Sequence, residues 1–337
     1  MELLQNHSLQ SYNTFGLPAR AAHFAEVHSE KALVELLQED IRPLFILGGG
    51  SNILLTKDLP GLVIRNAIAG KAITRTFRHC VYVSFGGGEN WHQAVLWSIE
   101  QGLGGIENLS LIPGTVGAAP IQNIGAYGVE LKDVFVRLEA IDLSSGKKRI
   151  FRKKDCHFGY RDSIFKRAAK GRYCITRVVL RLQKASSHRL NTRYGAIRQT
   201  LAEMGIEQAS IADLSQAVIH IRSSKLPDPA KLGNAGSFFK NPEIAKADFV
   251  ALQEQYPQVP HYPMDSGLIK VPAGWLIEQA GWKGKRIGAA GSHAKQALVL
   301  VNYGGATGSD IWQLALDIIA SVKAQFGIEL SAEVNVI

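Results

Sequence analysis

Between Asn108 and Val129 the chain runs for 22 residues without a charge, punctuated as Ile112-Pro113-Gly114-Thr115-Val116-Gly117-Ala118-Ala119-Pro120-Ile121-Gln122-Asn123-Ile124-Gly125-Ala126-Tyr127-Gly128. A helix that spans a bilayer must satisfy its backbone groups within the segment, and Pro113, Gly114, Gly117 and Pro120 break that ladder too often. The run therefore predicts an irregular loop whose free N–H groups point outward, a concavity suited to an anion. A second segment, Leu47-Gly48-Gly49-Gly50-Ser51-Asn52-Ile53-Leu54-Leu55, follows the apolar stretch Leu44–Leu47, which reads as a buried strand. Its glycines sit in a tight loop leaving that strand. Two such nests imply one extended, phosphate-bearing ligand.

With 337 residues, 46% hydrophobic and 20% charged, the chain has ordinary soluble composition and room for two or three domains. Residues 1–10 carry Glu2 and no basic cluster ahead of an apolar stretch, so no secretory signal is expected. No other apolar run is long enough to span a bilayer, and a cytoplasmic location with no membrane partner is the expectation. Cys80, Cys156 and Cys174 are odd in number, far apart and without a Cys-x-x-Cys pair. They read as structural thiols, and no metal site is expected.

The net charge of +9 is local. Residues 137–198 hold 18 Lys+Arg against 4 Asp+Glu, a surplus of 14 that leaves the rest of the chain at −5. Such a surface could attract nucleic acid, an anionic nucleotide, or serve only as a solvated basic face. No zinc-finger spacing, aromatic RNP-type strand or helix-turn-helix pattern accompanies it, so no nucleic-acid partner is expected.

The hydrophobic pattern divides the chain into three. Residues 1–70 form a small α/β unit: a short helical pattern at 32–37, the strand at 44–47 with its glycine loop, and a strand at Gly61-Leu62-Val63-Ile64. Residues 71–222 open with a strand over 81–85 and a helix over 90–100, where Trp91, Val95 and Ile99 have helical spacing. The Lys225-Leu226-Pro227-Asp228-Pro229 stretch marks a boundary, since neither proline can continue a helix or a ladder. In the third part, 273–280 reads as a helix stopped by Gly281, and 297–301 as a strand. Ser309 is the expected cap of the clearest helix, in which Ile311, Leu314, Ala315, Ile318, Ile319, Val322 and Phe326 repeat at helical spacing before Gly327. The tail alternates, with Ile328, Leu330, Ala332, Val334 and Val336 on one side of a predicted strand.

The G-x-G-x-x-G, G-x-x-x-x-G-K-[ST], H-E-x-x-H and G-x-S-x-G signatures are absent, which removes kinase, zincin and hydrolase readings. What remains is glycine loops for a dinucleotide outside the common dinucleotide fold. Asn13-Thr14-Phe15-Gly16, Gly48-Gly49-Gly50-Ser51-Asn52, Ile112-Pro113-Gly114, the run Pro120 to Gly128, Gly159-Tyr160-Arg161-Asp162-Ser163, Gly236-Ser237-Phe238-Phe239-Lys240-Asn241-Pro242 and Ala332-Glu333-Val334 occur in order along nearly the whole chain. As a set they resemble the UDP-N-acetylenolpyruvoylglucosamine reductase family. The Tyr194 segment with Lys225 resembles its longer bacterial subclass, which carries an extra substrate loop.

The resemblance implies an α+β fold: a two-part FAD-binding module of the vanillyl-alcohol-oxidase/PCMH type plus a smaller α+β substrate-binding domain. The FAD-binding subdomains would be 1–70 and 71–222, with the terminal strand 328–337 returning to the second, and the substrate-binding domain 223–327. It implies an enzyme that takes hydride from NADPH through FAD and reduces the enolpyruvyl ether of a UDP-sugar to UDP-N-acetylmuramate. Gly48, Gly49, Gly50, Ser51, Asn52, Pro113, Gly114, Gln122, Asn123, Gly125, Ala126, Tyr127 and Arg222 are the implied cofactor residues. No His or Cys lies in either glycine loop, so the FAD is expected to be non-covalent. NADPH and a UDP-sugar are polyanions, which suits the basic segment, and a monomer is expected.

By the same resemblance Ser237 is the proton donor, while Arg161 and Glu333 stabilise the enolate formed when hydride reaches the substrate. Tyr194, Lys225, Asn241 and Gln296 match the substrate-binding positions, Lys225 for phosphate. Taken alone, Ser237 after Gly236 reads as a turn residue, and Arg161 and Glu333 as solvated side chains. The whole motif set carries their assignment. A flavin oxidase of the same fold would share the glycine loops but use a different acceptor.

Overall fold

The computed structural model describes residues 2–264 and 266–337. They divide into two compact units, one of residues 2–7, 21–50 and 59–224, the other of residues 8–20, 51–58 and 225–337.

The first unit holds two sheets. One runs in the order Leu4–Ser8, Arg20–Val27, Leu59–Asn66, Leu44–Leu47, with Leu59–Asn66 parallel to both neighbours named after and before it. The Glu30–Leu36 helix covers it. Ser29 caps that helix by accepting the Ala32 N–H at 3.1 Å. The other sheet runs Lys148–Arg152, Phe135–Asp142, Tyr173–Lys184, Cys80–Gly86, Lys71–Thr76, all antiparallel, with Leu103–Gly104 added against Tyr173–Lys184. Ile141, Leu143 and Cys174 share a core with Ala25, Leu33, Leu62 and Ile64, so the two sheets form one folded body. The Trp91–Glu100 helix, capped by Asn90, buries Trp91, Ala94 and Val95 against the second sheet.

In the second unit a sheet runs Gly233–Ser237, Val299–Asn302, Ala290–Ser292, Arg286–Ile287. Phe238, Phe239, Leu300, Ile311, Leu314 and Ile318 belong to its core. Phe15, Leu17 and Leu54 join them from the two earlier segments. The 19-residue Gly308–Phe326 helix buries the predicted stripe and ends at Gly327, whose φ of +68° lets its N–H reach the Lys323 carbonyl at 2.9 Å.

Three local expectations need correction. The long helix is capped by Thr307, not Ser309: Thr307 and Asp310 form a reciprocal capping box, and Ser309 lies inside the first turn. The predicted 32–37 helix begins earlier, at Glu30, because Ser29 supplies its cap. The tail is not one continuous strand. Its pairing is split, with Lys240 N–H to Ser331 O and Glu333 N–H to Phe238 O, then Asn335–Val336 parallel to Ile53–Leu54. Where the sequence leads one to expect residues 328–337 on the 71–222 subdomain, the backbone bonds run to these segments of the second unit. Ile328, Leu330 and Val334 are nevertheless buried, and Val336 is exposed.

Among the described residues no helix is long and apolar enough to cross a membrane. All three cysteines are free and buried, and burial pushes the thiols of Cys156 and Cys174 up to about 12.

Candidate functional site

The two glycine loops predicted from sequence meet in the first unit. A Cβ added to Gly49 would lie 2.9 Å from Gly114 Cα, and one added to Gly48 would lie 2.7 Å from Thr115 Oγ1. The backbones approach so closely because neither position carries a side chain. Behind this contact the start of the Trp91–Glu100 helix is laced to the uncharged run. Val116 N–H donates to Glu89 O at 2.8 Å, Trp91 N–H to Gly114 O at 3.0 Å and the Trp91 indole to Leu109 O at 3.0 Å.

Further along the run, Gly125–Ala126 pairs with Val129–Glu130 around Tyr127 and Gly128, whose φ values of +49° and +77° make a tight two-residue hairpin turn. Asn123, also at positive φ, spends its side chain on the fold. Its Nδ2 donates to Glu130 Oε2 at 3.1 Å and Gly159 O at 3.0 Å, and its Oδ1 accepts the Lys132 N–H. Any ligand contact from Asn123 is therefore left to its backbone. Pro113 is exposed and Gln122 is half-buried.

Beside the hairpin the structure brings together Arg161, Arg222, Tyr127 and Tyr194. Arg161 donates to the Gly125 carbonyl at 2.5 Å from a backbone at φ +51°. Tyr194 sets its ring edge-to-face on Tyr127, 5.2 Å between centroids. Arg222 donates to Leu111 O at 3.3 Å and is hydrogen-bonded to Tyr127. Burial, together with the like charge of Arg161, holds the Arg222 guanidinium below the usual arginine range against the opposing pull of Tyr127. Among the described residues Arg222 has no carboxylate partner, so its buried guanidinium calls for an anion.

In the second unit, Ser237 ends the Gly233–Ser237 strand in register with Val299. Its side chain is exposed, and its hydroxyl has no hydrogen bond among the described residues. The bond from Glu333 N–H to Phe238 O at 2.7 Å sets Glu333 across from that strand end, and Asn52 Nδ2 donates to the Glu333 carbonyl at 3.4 Å. Asn241 and Gln296 converge on one helix start. Asn241 Oδ1 accepts the Ala273 N–H at 3.0 Å, and Gln296 Oε1 lies 3.1 Å from where a Gly274 Cβ would sit. Lys225 closes the Ile211–Lys225 helix and is exposed. Among the described residues no group of three His, Cys, Asp or Glu side chains is arranged to hold a metal.

Residues 19–150 match the model described as FAD binding domain, and residues 228–337 match UDP-N-acetylenolpyruvoylglucosamine reductase, C-terminal domain. The UDP-N-acetylenolpyruvoylglucosamine reductase of Flavobacterium johnsoniae is 50% identical over 338 residues, covering 100% of each chain. That of Burkholderia cenocepacia is 51% identical over 339 residues, covering 99% of this chain and 96% of the relative. The chain belongs to the UDP-N-acetylenolpyruvoylglucosamine reductase family. A crystal structure of the UDP-N-acetylenolpyruvylglucosamine reductase of Thermus caldophilus superposes with a TM-score of 0.66 at 26% identity, covering 99% of this chain and 98% of that one. The 6-hydroxy-D-nicotine oxidase of Arthrobacter nicotinovorans shares the fold, with a TM-score of 0.51 at 14% identity over 97% of this chain and 86% of that one. As expected from sequence, this reductase-family member has the α+β architecture of an FAD-binding module of the PCMH type joined to a second domain, and it is an FAD-dependent oxidoreductase.

The residues present fit that cofactor. Gly48 and Gly49 let their loop close onto Gly114 and Thr115, and the buried Arg222 supplies positive charge with no carboxylate partner among the described residues. The sequence reading passed over one group that touches this region, His92, whose Nδ1 accepts the Leu111 N–H at 3.0 Å. A lone histidine in the first turn of an amphipathic helix has no local signature. The available signal was its position beside the capped helix start that the uncharged run binds.

Proposed function

We infer that this chain reduces the enolpyruvyl group of UDP-N-acetyl-3-O-(1-carboxyvinyl)-glucosamine to UDP-N-acetylmuramate for peptidoglycan precursor synthesis, with NADPH as the hydride source. The observation that carries this reading is the end-to-end likeness, at about half identity, to two reductases of that name. We take the protein to be a cytoplasmic monomer of the longer subclass, with Tyr194 on the extra substrate loop, acting on small molecules rather than on nucleic acid or membrane. We retain 1–70 and 71–222 as the FAD-binding subdomains and 223–327 as the substrate-binding part.

Non-covalently bound FAD supplies the hydride relay from NADPH to the methylene carbon of the substrate. The glycines at 48–50, with Ser51, Asn52 and Gly114, would hold the pyrophosphate through backbone N–H groups, and Pro113, which has no N–H, would shape the loop beside it. Gln122, Asn123, Gly125, Ala126, Tyr127 and Arg222 line the rest of the cofactor, Asn123 through its backbone. Hydride addition drives an electron pair toward the substrate carboxylate. Arg161 stabilises the resulting enolate by charge-assisted hydrogen bonds, and Glu333 joins it at the substrate carboxylate. The unshared hydroxyl of Ser237 then delivers the proton to the adjacent carbon. Lys225 takes a phosphate, and Tyr194, Asn241 and Gln296 position the sugar nucleotide.

An absorption spectrum of the purified protein tests the reading, with anaerobic NADPH and then the enolpyruvyl sugar added in turn. Flavin bands that bleach with NADPH and return with the sugar are the expected result. Bands that return only with air would move the function to a flavin oxidase.

A further inference from the structure

The uncharged run is tied to the start of the Trp91–Glu100 helix by contacts of two kinds. Those from Glu89, Trp91 and the Trp91 indole use groups that do not titrate. The remaining one joins His92 Nδ1 to the Leu111 N–H at 3.0 Å, and it exists only while that nitrogen is unprotonated. Leu111 needs this tie. It is a non-glycine residue at φ +56°, a conformation disfavoured for L side chains. Its carbonyl receives Arg222 Nε at 3.3 Å, and Pro113 and Gly114 follow it at once. His92, the strained Leu111 turn and Arg222 therefore form one chain of hydrogen bonds ending at the buried Arg222 guanidinium.

We propose that His92 is a positioning residue that latches the Leu111 turn, and through it Arg222 and the 112–114 loop, in the geometry that grips the flavin nucleotide, and that protonation of His92 opens this latch. The proposal rests on the assignment of Pro113, Gly114 and Arg222 to the cofactor. The surroundings keep the latch closed at neutral pH. Burial, and then the charge of Arg222, hold the imidazole below the usual histidine value. From the Ile211–Lys225 helix the charged group facing His92 is Arg222. From the Glu107–Leu109 turn, Glu107 directs its carboxylate to His188 and the Gly105 N–H. On the Trp91–Glu100 helix's own entry, Glu89 directs its carboxylate to the Gly70 N–H and Lys71.

The latch predicts a pH dependence of a defined sign. His92 is more readily protonated when released than when latched, so the grip is complete above the ordinary histidine value of about 6.5 and is lost as pH falls below it. The test uses the holoenzyme and two variants. His92→Asn offers an amide oxygen near the place of Nδ1 and does not titrate, whereas His92→Leu keeps volume and offers no acceptor. FAD release is followed by flavin fluorescence between pH 5 and 8, and amide exchange is followed over residues 109–114. The wild-type protein is expected to lose FAD affinity as pH falls below about 6.5. His92→Asn should keep the high-pH affinity and lack the acid step. His92→Leu should bind FAD roughly fivefold or more weakly than the wild type above about pH 6.5, the loss of one part-buried hydrogen bond, and approach it at acid pH, with faster exchange at 109–114. An acid step that survives in His92→Asn, or unchanged exchange in His92→Leu, overturns the latch. Faster exchange with unchanged FAD affinity overturns instead the cofactor assignment on which it rests.

Discussion

The backbone N–H of Glu333 donates to the carbonyl of Phe238 at 2.7 Å, so the terminal segment reaches the fold immediately beside Ser237. Ser237 keeps a hydroxyl with no partner among the described residues. If that hydroxyl protonates the substrate, Ser237→Ala leaves bleaching of the flavin by NADPH intact. It then slows re-oxidation by the enolpyruvyl sugar about 10²–10⁴-fold, the usual worth of a positioned acid. Stopped-flow absorbance of the two half-reactions checks this, and equal slowing of both would remove the proton-donor role.

Gly49 faces backbone, not a flexible side chain. An alanine there puts its Cβ 2.9 Å from Gly114 Cα, and the two loops must separate. Gly49→Ala is expected to cost about 1–3 kcal/mol as an overpacked contact and to leave the purified protein depleted of FAD. Flavin content per chain and the melting temperature report both effects. Full flavin occupancy with unchanged melting would mean that the loop contact does not shape the cofactor cradle.

The course of the chain was legible where side chains carry their own signal. The Trp91–Glu100 and Gly308–Phe326 helices show it in apolar spacing and end residues, and the glycine loops in their punctuation. Ser309 misled because Ser and Thr are both favoured caps, Ser the more so, and only the reciprocal bonds of Thr307 with Asp310 decide between them. The tail's alternation predicted a strand, but alternation records which side chains are buried, not where the backbone finds its bonds. The tail splits those bonds between Phe238–Lys240 and Ile53–Leu54. Long-range pairs were illegible for the same reason. Neither the Gly49–Gly114 approach nor the His92–Leu111 bond has a local pattern, and Asn123 looked like a ligand contact while its side chain is spent on Glu130 and Gly159.

Arg161 works through geometry as well as charge. It reaches Gly125 O at 2.5 Å from a left-handed backbone, which aims a planar fork at one place. Arg161→Lys keeps the charge and loses the fork. It is expected to slow the second half-reaction roughly ten- to a hundredfold, equivalent to about 1.5–3 kcal/mol, and to leave NADPH bleaching near normal. A lysine variant with wild-type turnover of the sugar would take Arg161 out of the reaction.

Acid stability of the first unit turns on a buried pair, Glu107 and His188, whose side chains meet at 2.5 Å with 2% and 10% exposure. Burial disfavours the Glu107 carboxylate. The His188 bond, its charge and the Gly105 N–H more than offset this, so its acid form appears below the usual glutamate range. A carboxyl depressed in the fold adds stability above its unfolded value of about 4.5. That stability is lost as pH falls from there through the lower folded value. Glu107→Ala strands an unpaired imidazole and is expected to cost about 3–5 kcal/mol at pH 7. The deficit relative to wild type should shrink as pH drops below about 4.5, where the wild type loses the same contribution. Thermal melts of both proteins across pH 3–7 measure it, and a deficit that stays constant with pH would show that packing, not the ion pair, stabilises this corner of the fold.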